Sequence, residues 1–311
     1  DKRNYILYRP KPGIPEDRFY DLYDMMKNYV GNDDPAKMED RGGGESVNTY
    51  PVKKMSVAVN RDYVLKNATV NATDSVVSEM RFEIPKNALM KNDLAVLNVI
   101  AANKWNRPIY FTQPSVELGF DQYLRRDGLS FRLVPVIGSR VNTDWMLDKA
   151  LHKFAFGNAQ IKGVYYDEEN RRHLNTIRTA YAELGNDLAN KGRKEDARKV
   201  LNLADKMMDP ANFDYGMTSR GNMHNRNSLL FLESCYLAGD SALAQKVSAS
   251  VKKDLQQQLR YYNSLSGTMA DNLADERRFA DNYLQALQQM QAMYNPASTL
   301  KGLTPADSSK K

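Results

Sequence analysis

The chain has 311 residues, 42% hydrophobic and 26% charged, a composition that belongs to soluble globular proteins and excludes disordered and fibrous classes. Its 44 basic and 38 acidic side chains leave a formal charge of +6. The densest basic stretches are pairs such as Arg125-Arg126, Arg171-Arg172 and Lys310-Lys311, not the clustered stripe with interleaved aromatics that marks a nucleic-acid surface, so no nucleic-acid partner is expected. No run approaches the ~20 apolar residues of a bilayer span, and one cysteine, Cys235, cannot form an intrachain disulfide. The start, Asp1-Lys2-Arg3-Asn4, is neither a signal peptide nor a natural initiation and points to a piece of a larger protein.

Residues 1–50 read as an N-terminal helix and a mobile linker. The opening is loop-like through Arg9-Pro10-Lys11-Pro12-Gly13. Pro15-Glu16-Asp17 then starts a helix with Phe19, Leu22, Tyr23, Met26 and Val30 on its apolar face, stopped by Gly31. The segment 32–45, with Gly42-Gly43-Gly44, reads as the linker; no GK[ST] follows the glycines, so they do not make a phosphate loop.

Residues 51–141 read as a small α/β domain. Val52, Met55, Val57 and Val59 alternate as in a half-buried strand, a short helical turn spans 61–66, and Met80, Phe82 and Ile84 form a second strand. Leu89, Leu94, Leu97, Ile100 and Ala101 lie on a helix capped near Asn103. A strand over 108–112, a short helix over 119–126 and a strand at Leu129-Phe131-Leu133 complete the layer, whose connections suit parallel neighbours joined by crossovers. Asn67-Ala68-Thr69 and Asn71-Ala72-Thr73 have the form of glycosylation sequons, a pattern that chance produces often.

Residues 142–295 read as an all-α, tetratricopeptide-like domain, with 296–311 as a polar tail expected to fray. A helix from Asp144 to Phe154 precedes a helical hairpin over 168–209 in which Tyr181, Leu184-Gly185, Leu188, Gly192, Ala197, Leu201, Ala204 and Pro210 take tetratricopeptide spacing. Gly185, Ala197 and Ala204 permit close helix approach, Gly192 makes the turn, and Pro210 stops the second helix. The frame recurs at Gly239 and Ala244, 47 places after Gly192 and Ala197. That exceeds the usual repeat of about 34, and Phe213, Tyr215, Gly216 and Gly221 fall in the excess. A last helix over 272–294 caps the stack. The fold class is therefore a small α/β layer followed by an all-α helical-repeat domain.

Catalytic chemistry has little support. His152, His173 and His224 stand apart, with no metal-ligand spacing, Cys235 sits in a helical apolar pattern, and there is no GxSxG, so neither a catalytic residue nor a metal nor a cofactor is expected. The most distinctive string is Asn103-Lys104-Trp105-Asn106-Arg107-Pro108-Ile109-Tyr110-Phe111-Thr112. There Trp105, Arg107 and Tyr110 have the chemistry to line a sugar or peptide groove, aromatic faces stacking on a ring and a guanidinium binding its hydroxyls or a phosphate.

Tyr50-Pro51-Val52-Lys53-Lys54, the stretch 61–70, the string 103–112 and Tyr123-Leu124 through Gly128-Leu129-Ser130-Phe131-Arg132-Leu133-Val134-Pro135-Val136 together resemble the bacterial multipass membrane-protein family catalogued as domain of unknown function 2723. That family is similar to glycosyltransferases that use polyprenyl-phosphate sugars, and its relatives outside bacteria are associated with protein O-mannosylation. The resemblance implies a C-terminal region on the periplasmic side of the inner membrane, attached through a transmembrane region that carries the catalytic acid. Its partners would be that membrane region and, through the helical repeats, an acceptor or partner protein. With Trp105, Arg107 and Tyr110, the cations Arg125 and Arg132 complete the expected ligand-binding set. The alternative is an envelope scaffold without glycosyl transfer.

Overall fold

The computed structural model describes residues 4–114 and 116–294, and the chain divides into two compact units, Asp1–Asn142 and Thr143–Lys311. The first carries small sheets and the second is helical, so the two-part fold class holds. The tail expected to fray lies outside the described residues. Among the described residues no helix is long and apolar enough to cross a membrane.

The first unit contains β1 (Tyr5–Tyr8), β2 (Tyr20–Asp21), α1 (Leu22–Met25), β3 (Met38–Gly42), β4 (Glu45–Tyr50), β5 (Lys54–Ala58), α2 (Arg61–Lys66), β6 (Glu79–Glu83), β7 (Ala88–Met90), α3 (Lys91–Asn103), β8 (Tyr110–Phe111), β9 (Leu124–Asp127) and β10 (Ser130–Leu133). They form three sheets, ordered β3-β4-β1-β7, β2-β5-β6 and β8-β10-β9. Among these strands β1 with β4 and β2 with β5 pair in parallel, and the other strand pairings are antiparallel, contrary to the expected crossover layer. The reason is local. Gly128-Leu129 alone joins β9 to β10, with Gly128 at φ 71°, and a two-residue connection can only make a hairpin.

Several segments differ from their sequence reading: the opening, read as loop-like, holds β1, and Leu89, read onto a helix, lies in β7. The expected N-terminal helix begins only at Leu22, because Tyr20 and Asp21 pair with Met55 and Ser56, and Asp21 then caps α1. Its last turn, Met26–Val30, is a π-helix. Leu22, Met25, Met26 and Val30 are buried while Phe19 and Tyr23 face outward, 40% and 41% exposed. The expected linker is the β3–β4 hairpin. Its anchors are the Asn48 amide, which donates to the Asn32 carbonyl at 2.8 Å, and the Thr49 hydroxyl, which donates to that of Lys37 at 2.8 Å. The short helix expected over 119–126 is a 3₁₀ turn, Asp121–Tyr123, running into β9. All four residues of β9 are buried, two arginines and an aspartate among them, and that polar run hid a strand. The core beneath holds Tyr50, Met55, Met80, Phe82, Ile84, Leu97 and Phe120, with the Phe82 and Phe120 rings edge to face at 5.7 Å.

The helical unit contains α4 (Thr143–His152), α5 (Glu168–Asn190), α6 (Lys194–Lys206), α7 (Pro210–Phe213), α8 (Met223–Ala238), α9 (Ser241–Asn263), α10 (Gly267–Asn272) and α11 (Ala274–Tyr294). The hairpins α5–α6 and α8–α9 turn at Gly192 and Gly239, both left-handed. A Cβ on Gly185 would meet the Leu201 side chain at 2.9 Å, so the small residue is what lets α5 and α6 touch. Pro210 does not merely follow a helix: it opens α7 behind Asp209, whose carboxylate accepts from the Ala211 N–H at 2.8 Å.

A fully buried cation is among the groups that hold the insertion between the hairpins. Arg178 on α5 donates to the carbonyls of Phe213 (2.7 Å) and Asp214 (3.0 Å), and its guanidinium lies 4.2 Å and 4.3 Å from the Phe213 and Tyr215 ring centres. Desolvation pulls its pKa down to about 10, which leaves it charged at neutral pH.

Candidate functional site

A surface pocket of about 440 Å³ opens in the sheet unit where the ends of three helices meet β5. Each helix end reaches it for a sequence reason. Asp21 caps α1, accepting from the Asp24 N–H at 3.0 Å; Asn60 caps α2, accepting from Tyr63 at 3.1 Å; and α3 stops where Lys104 and Trp105 both turn left-handed, at φ 45° and 62°. The cap expected at Asn103 thus sits one place later. Asn103 instead braces the turn, its amide donating to the Arg107 carbonyl at 2.7 Å and its oxygen accepting the Arg107 N–H at 3.2 Å.

Two consecutive bulky residues with positive φ cost about 1–2 kcal/mol each, and such strain persists where surrounding bonds over-determine it. Those bonds are present. The Trp105 indole N–H donates to the Ala58 carbonyl at 2.9 Å, and the Asn67 amide donates to the Trp105 carbonyl. The indole is only 5% exposed, so it forms a wall rather than a free stacking platform. The accessible rings are Tyr23 and Tyr63, 41% and 50% exposed, and the Lys104 ammonium lies 4.6 Å from the Tyr23 ring centre. Two partly exposed phenol rings, that of Tyr23 covered on one side by Lys104, with a carboxylate, an amide and an ammonium among the lining groups, can stack on an apolar sugar face and hydrogen-bond its hydroxyls.

The other expected ligand residues do not line this pocket. Arg107 is exposed. Tyr110, on β8, lies under the Arg132 guanidinium, 4.9 Å from its ring centre. Arg132 on β10 pairs with the buried Asp127 carboxylate at 2.6 Å and also bonds the Tyr110 hydroxyl and the Ala68 carbonyl. Arg125, its cross-strand partner, is fully buried and ion-paired with Asp74 at 2.7 Å, so it serves the framework and cannot contact a ligand. The loop 67–69 connects the two groups, Asn67 reaching Trp105 and Ala68 receiving Arg132. The amides of both sequon asparagines are engaged internally, Asn67 with Trp105 and Asn71 with Asn142 at 3.1 Å.

Tyr23 and Tyr63 escaped sequence reasoning. Helical periodicity assigned Tyr23 to a core face, and Tyr63 sits in a turn too short to show a period. The N-cap pattern at Asp21 and Asn60 was the usable signal, because caps mark where helix ends converge. Among the described residues no group of three or more His, Cys, Asp or Glu side chains is placed to hold a metal ion.

Residues 1–153 match the family model described as TMEM260-associated domain 2, which covers the whole sheet unit and α4. No curated protein and no solved structure matches the chain.

Proposed function

We propose that the chain is the non-catalytic, extracytoplasmic part of a membrane glycosyltransferase-like protein that uses polyprenyl-phosphate sugars, and that the sheet unit holds a glycan while the helical unit engages the acceptor protein. The match to a TMEM260-associated domain and the family resemblance of the same residues support the parent. The pocket walled by Tyr23, Tyr63 and Trp105 carries the glycan reading, because partly exposed aromatic rings beside hydrogen-bonding groups are the chemistry of sugar recognition. In this reading the periplasmic face of the inner membrane is the site of action, and the parent's membrane region supplies the catalytic acid.

The test is a titration of the chain with a panel of methyl glycosides and short oligosaccharides, followed by the chemical shifts of the Trp105 indole N–H. At least one sugar is expected to move that signal, and Tyr63→Ala to weaken the response about tenfold, as loss of one stacking face worth about 1.5 kcal/mol requires. A panel that leaves the indole signal still in every case, while protein partners are captured, overturns the glycan role and favours the scaffold. If the full parent glycosylates its acceptor equally well without residues 143–311, the helical unit has no part in the reaction.

A further inference from the structure

The helical unit carries a groove of about 900 Å³ between the first turns of α5 and the insertion that precedes α8. Its charges are unevenly used. Glu169 is held by Arg172 and His173, at 2.5 Å and 3.3 Å. Arg171 and Arg220, which also line the groove, have no carboxylate partner among the described residues.

The apolar lining differs in kind from that of the sheet pocket. Among the described residues no Trp, Tyr or Phe lines the groove, and Met217 and Met223 supply the apolar surface. Thioethers adapt to varied side chains and present no flat face to a sugar ring. Behind this wall Arg178 fixes the insertion, so the groove is largely pre-formed.

We infer that this groove binds an extended acidic peptide segment, with Asp or Glu carboxylates on Arg171 and Arg220 and an apolar side chain against Met217 and Met223. Glu168, on the same rim, is the charge such a segment avoids, which gives the groove a polarity. The inference rests on the reading of the helical unit as the protein-engaging part and gives that part a site and a partner chemistry.

The probe is a fluorescein-labelled octapeptide of alternating Asp and Leu, compared with its Asn-for-Asp and Lys-for-Asp counterparts by anisotropy on the whole chain. The acidic peptide is expected to bind at least about tenfold more tightly than the Asn peptide. Arg171→Ala and Arg220→Ala should each weaken it about fivefold, as one lost ion pair of roughly 1 kcal/mol gives, and Arg220→Lys should retain most of the affinity. Arg107→Ala in the sheet unit is the control for long-range charge and should change nothing. Equal binding of the acidic and Asn peptides, or an Arg107→Ala effect as large as that of Arg220→Ala, overturns the groove. Tighter binding of the Asn or Lys peptide with silent arginine variants sinks this site while sparing a protein-binding role elsewhere on the helical unit. If no peptide binds and acceptor capture by the whole chain survives Arg171→Ala with Arg220→Ala, the groove fails and the broader reading stands.

Discussion

The sheet unit and the helical unit solve the same problem, holding a binding surface in shape, by different means. In the sheet unit the strands are short, two to six residues, and the loops between them are locked by side chains such as Asn48, Asn67 and Trp105 that bond distant backbone groups. In the helical unit long helices meet through repeated small residues, and one inserted loop is clamped by Arg178. The sheet pocket is locked by side chains bonded across loops, whereas the inserted loop of the helical unit is tied to the helices around it, by Arg178 at its buried centre and by Ser228 and Ser250 at Tyr215 and Asp214. The chain contains two tryptophans, Trp105 in the sheet unit and Trp145 in the helical unit, so single Trp→Phe variants give each unit its own fluorescence reporter.

The largest expected effect belongs to the sheet unit. Gly119 sits at φ 83° with its backbone against Glu83, and a Cβ there would come 1.9 Å from the Glu83 carbonyl oxygen. Gly119→Ala must displace β6 or its neighbour and should cost about 4 kcal/mol, near the top of the range for point substitutions. Denaturant unfolding read through Trp105 should collapse while Trp145 reports an unchanged helical unit. An equal shift of both reporters would break the comparison by showing one cooperative core.

In the helical unit the corresponding weak point is the clamp. Arg178→Met keeps much of the volume but leaves the Phe213 carbonyl without its donor and the Asp214 carbonyl with His224 alone, for a loss of about 3 kcal/mol. The Trp145 reporter should carry this loss, and binding of an acidic peptide should fall with it because the insertion forms the groove wall. A loss confined to stability, with peptide binding intact, would separate the clamp from the groove.

His224 sharpens the contrast through pH. Its Nε2 donates to the Asp214 carbonyl at 2.8 Å, and burial, reinforced by Arg178 and Arg171, lowers its pKa from 6.5 to about 4. The folded pKa lies below the unfolded one, so between pH 6.5 and pH 4 the unfolded chain binds a proton that the native chain refuses. Stability therefore falls as pH drops through that window, by about 2 kcal/mol between pH 7 and pH 5. His224→Gln should flatten that slope in the Trp145 signal and leave the Trp105 signal as it was. A slope that persists in the Gln variant would assign the acid sensitivity elsewhere.

How much of this was legible follows the same divide. Helical spacing of Gly185, Gly192, Ala197 and Gly239 foretold two hairpins, because each small residue has a single mechanical reason to be where it is. The insertion's clamp was invisible, since Arg178 lies within a polar helix and its partners are carbonyls, which carry no side-chain signature. In the sheet unit periodicity found β5, β6, β8, β10 and α3, yet missed β1, β2, β3, β4, β7 and β9; in β4 and β9 buried polar residues are satisfied far along the chain, Asn48 by Asn32 and Arg125 by Asp74. Trp105 was identified, but its neighbours Tyr23 and Tyr63 come from separate elements that only the tertiary fold assembles. Arg125, expected among the ligand contacts, is fully buried and paired with Asp74, 51 residues earlier, a partner that no local pattern reveals.

The smallest effect tests how the pocket keeps its shape. Asn67 caps α2, and its side-chain oxygen accepts from the Thr69 N–H (3.0 Å) and hydroxyl (2.6 Å) while its amide donates to the Trp105 carbonyl. Asn67→Ala removes all three bonds at a half-buried position, but water can replace part of them, so the cost should be about 1 kcal/mol. The more telling readout is conformational. Lys104 and Trp105 are held left-handed against their own preference, and without the Asn67 anchor that pair should relax, raising Trp105 exposure and shifting its emission to the red while Trp145 stays unchanged. Sugar binding should weaken more than stability does, because the Tyr23 face is positioned beside Lys104. If Asn67→Ala lowers stability yet leaves Trp105 emission and sugar affinity intact, the left-handed pair holds itself, and the sheet pocket is as self-supporting as the helical groove.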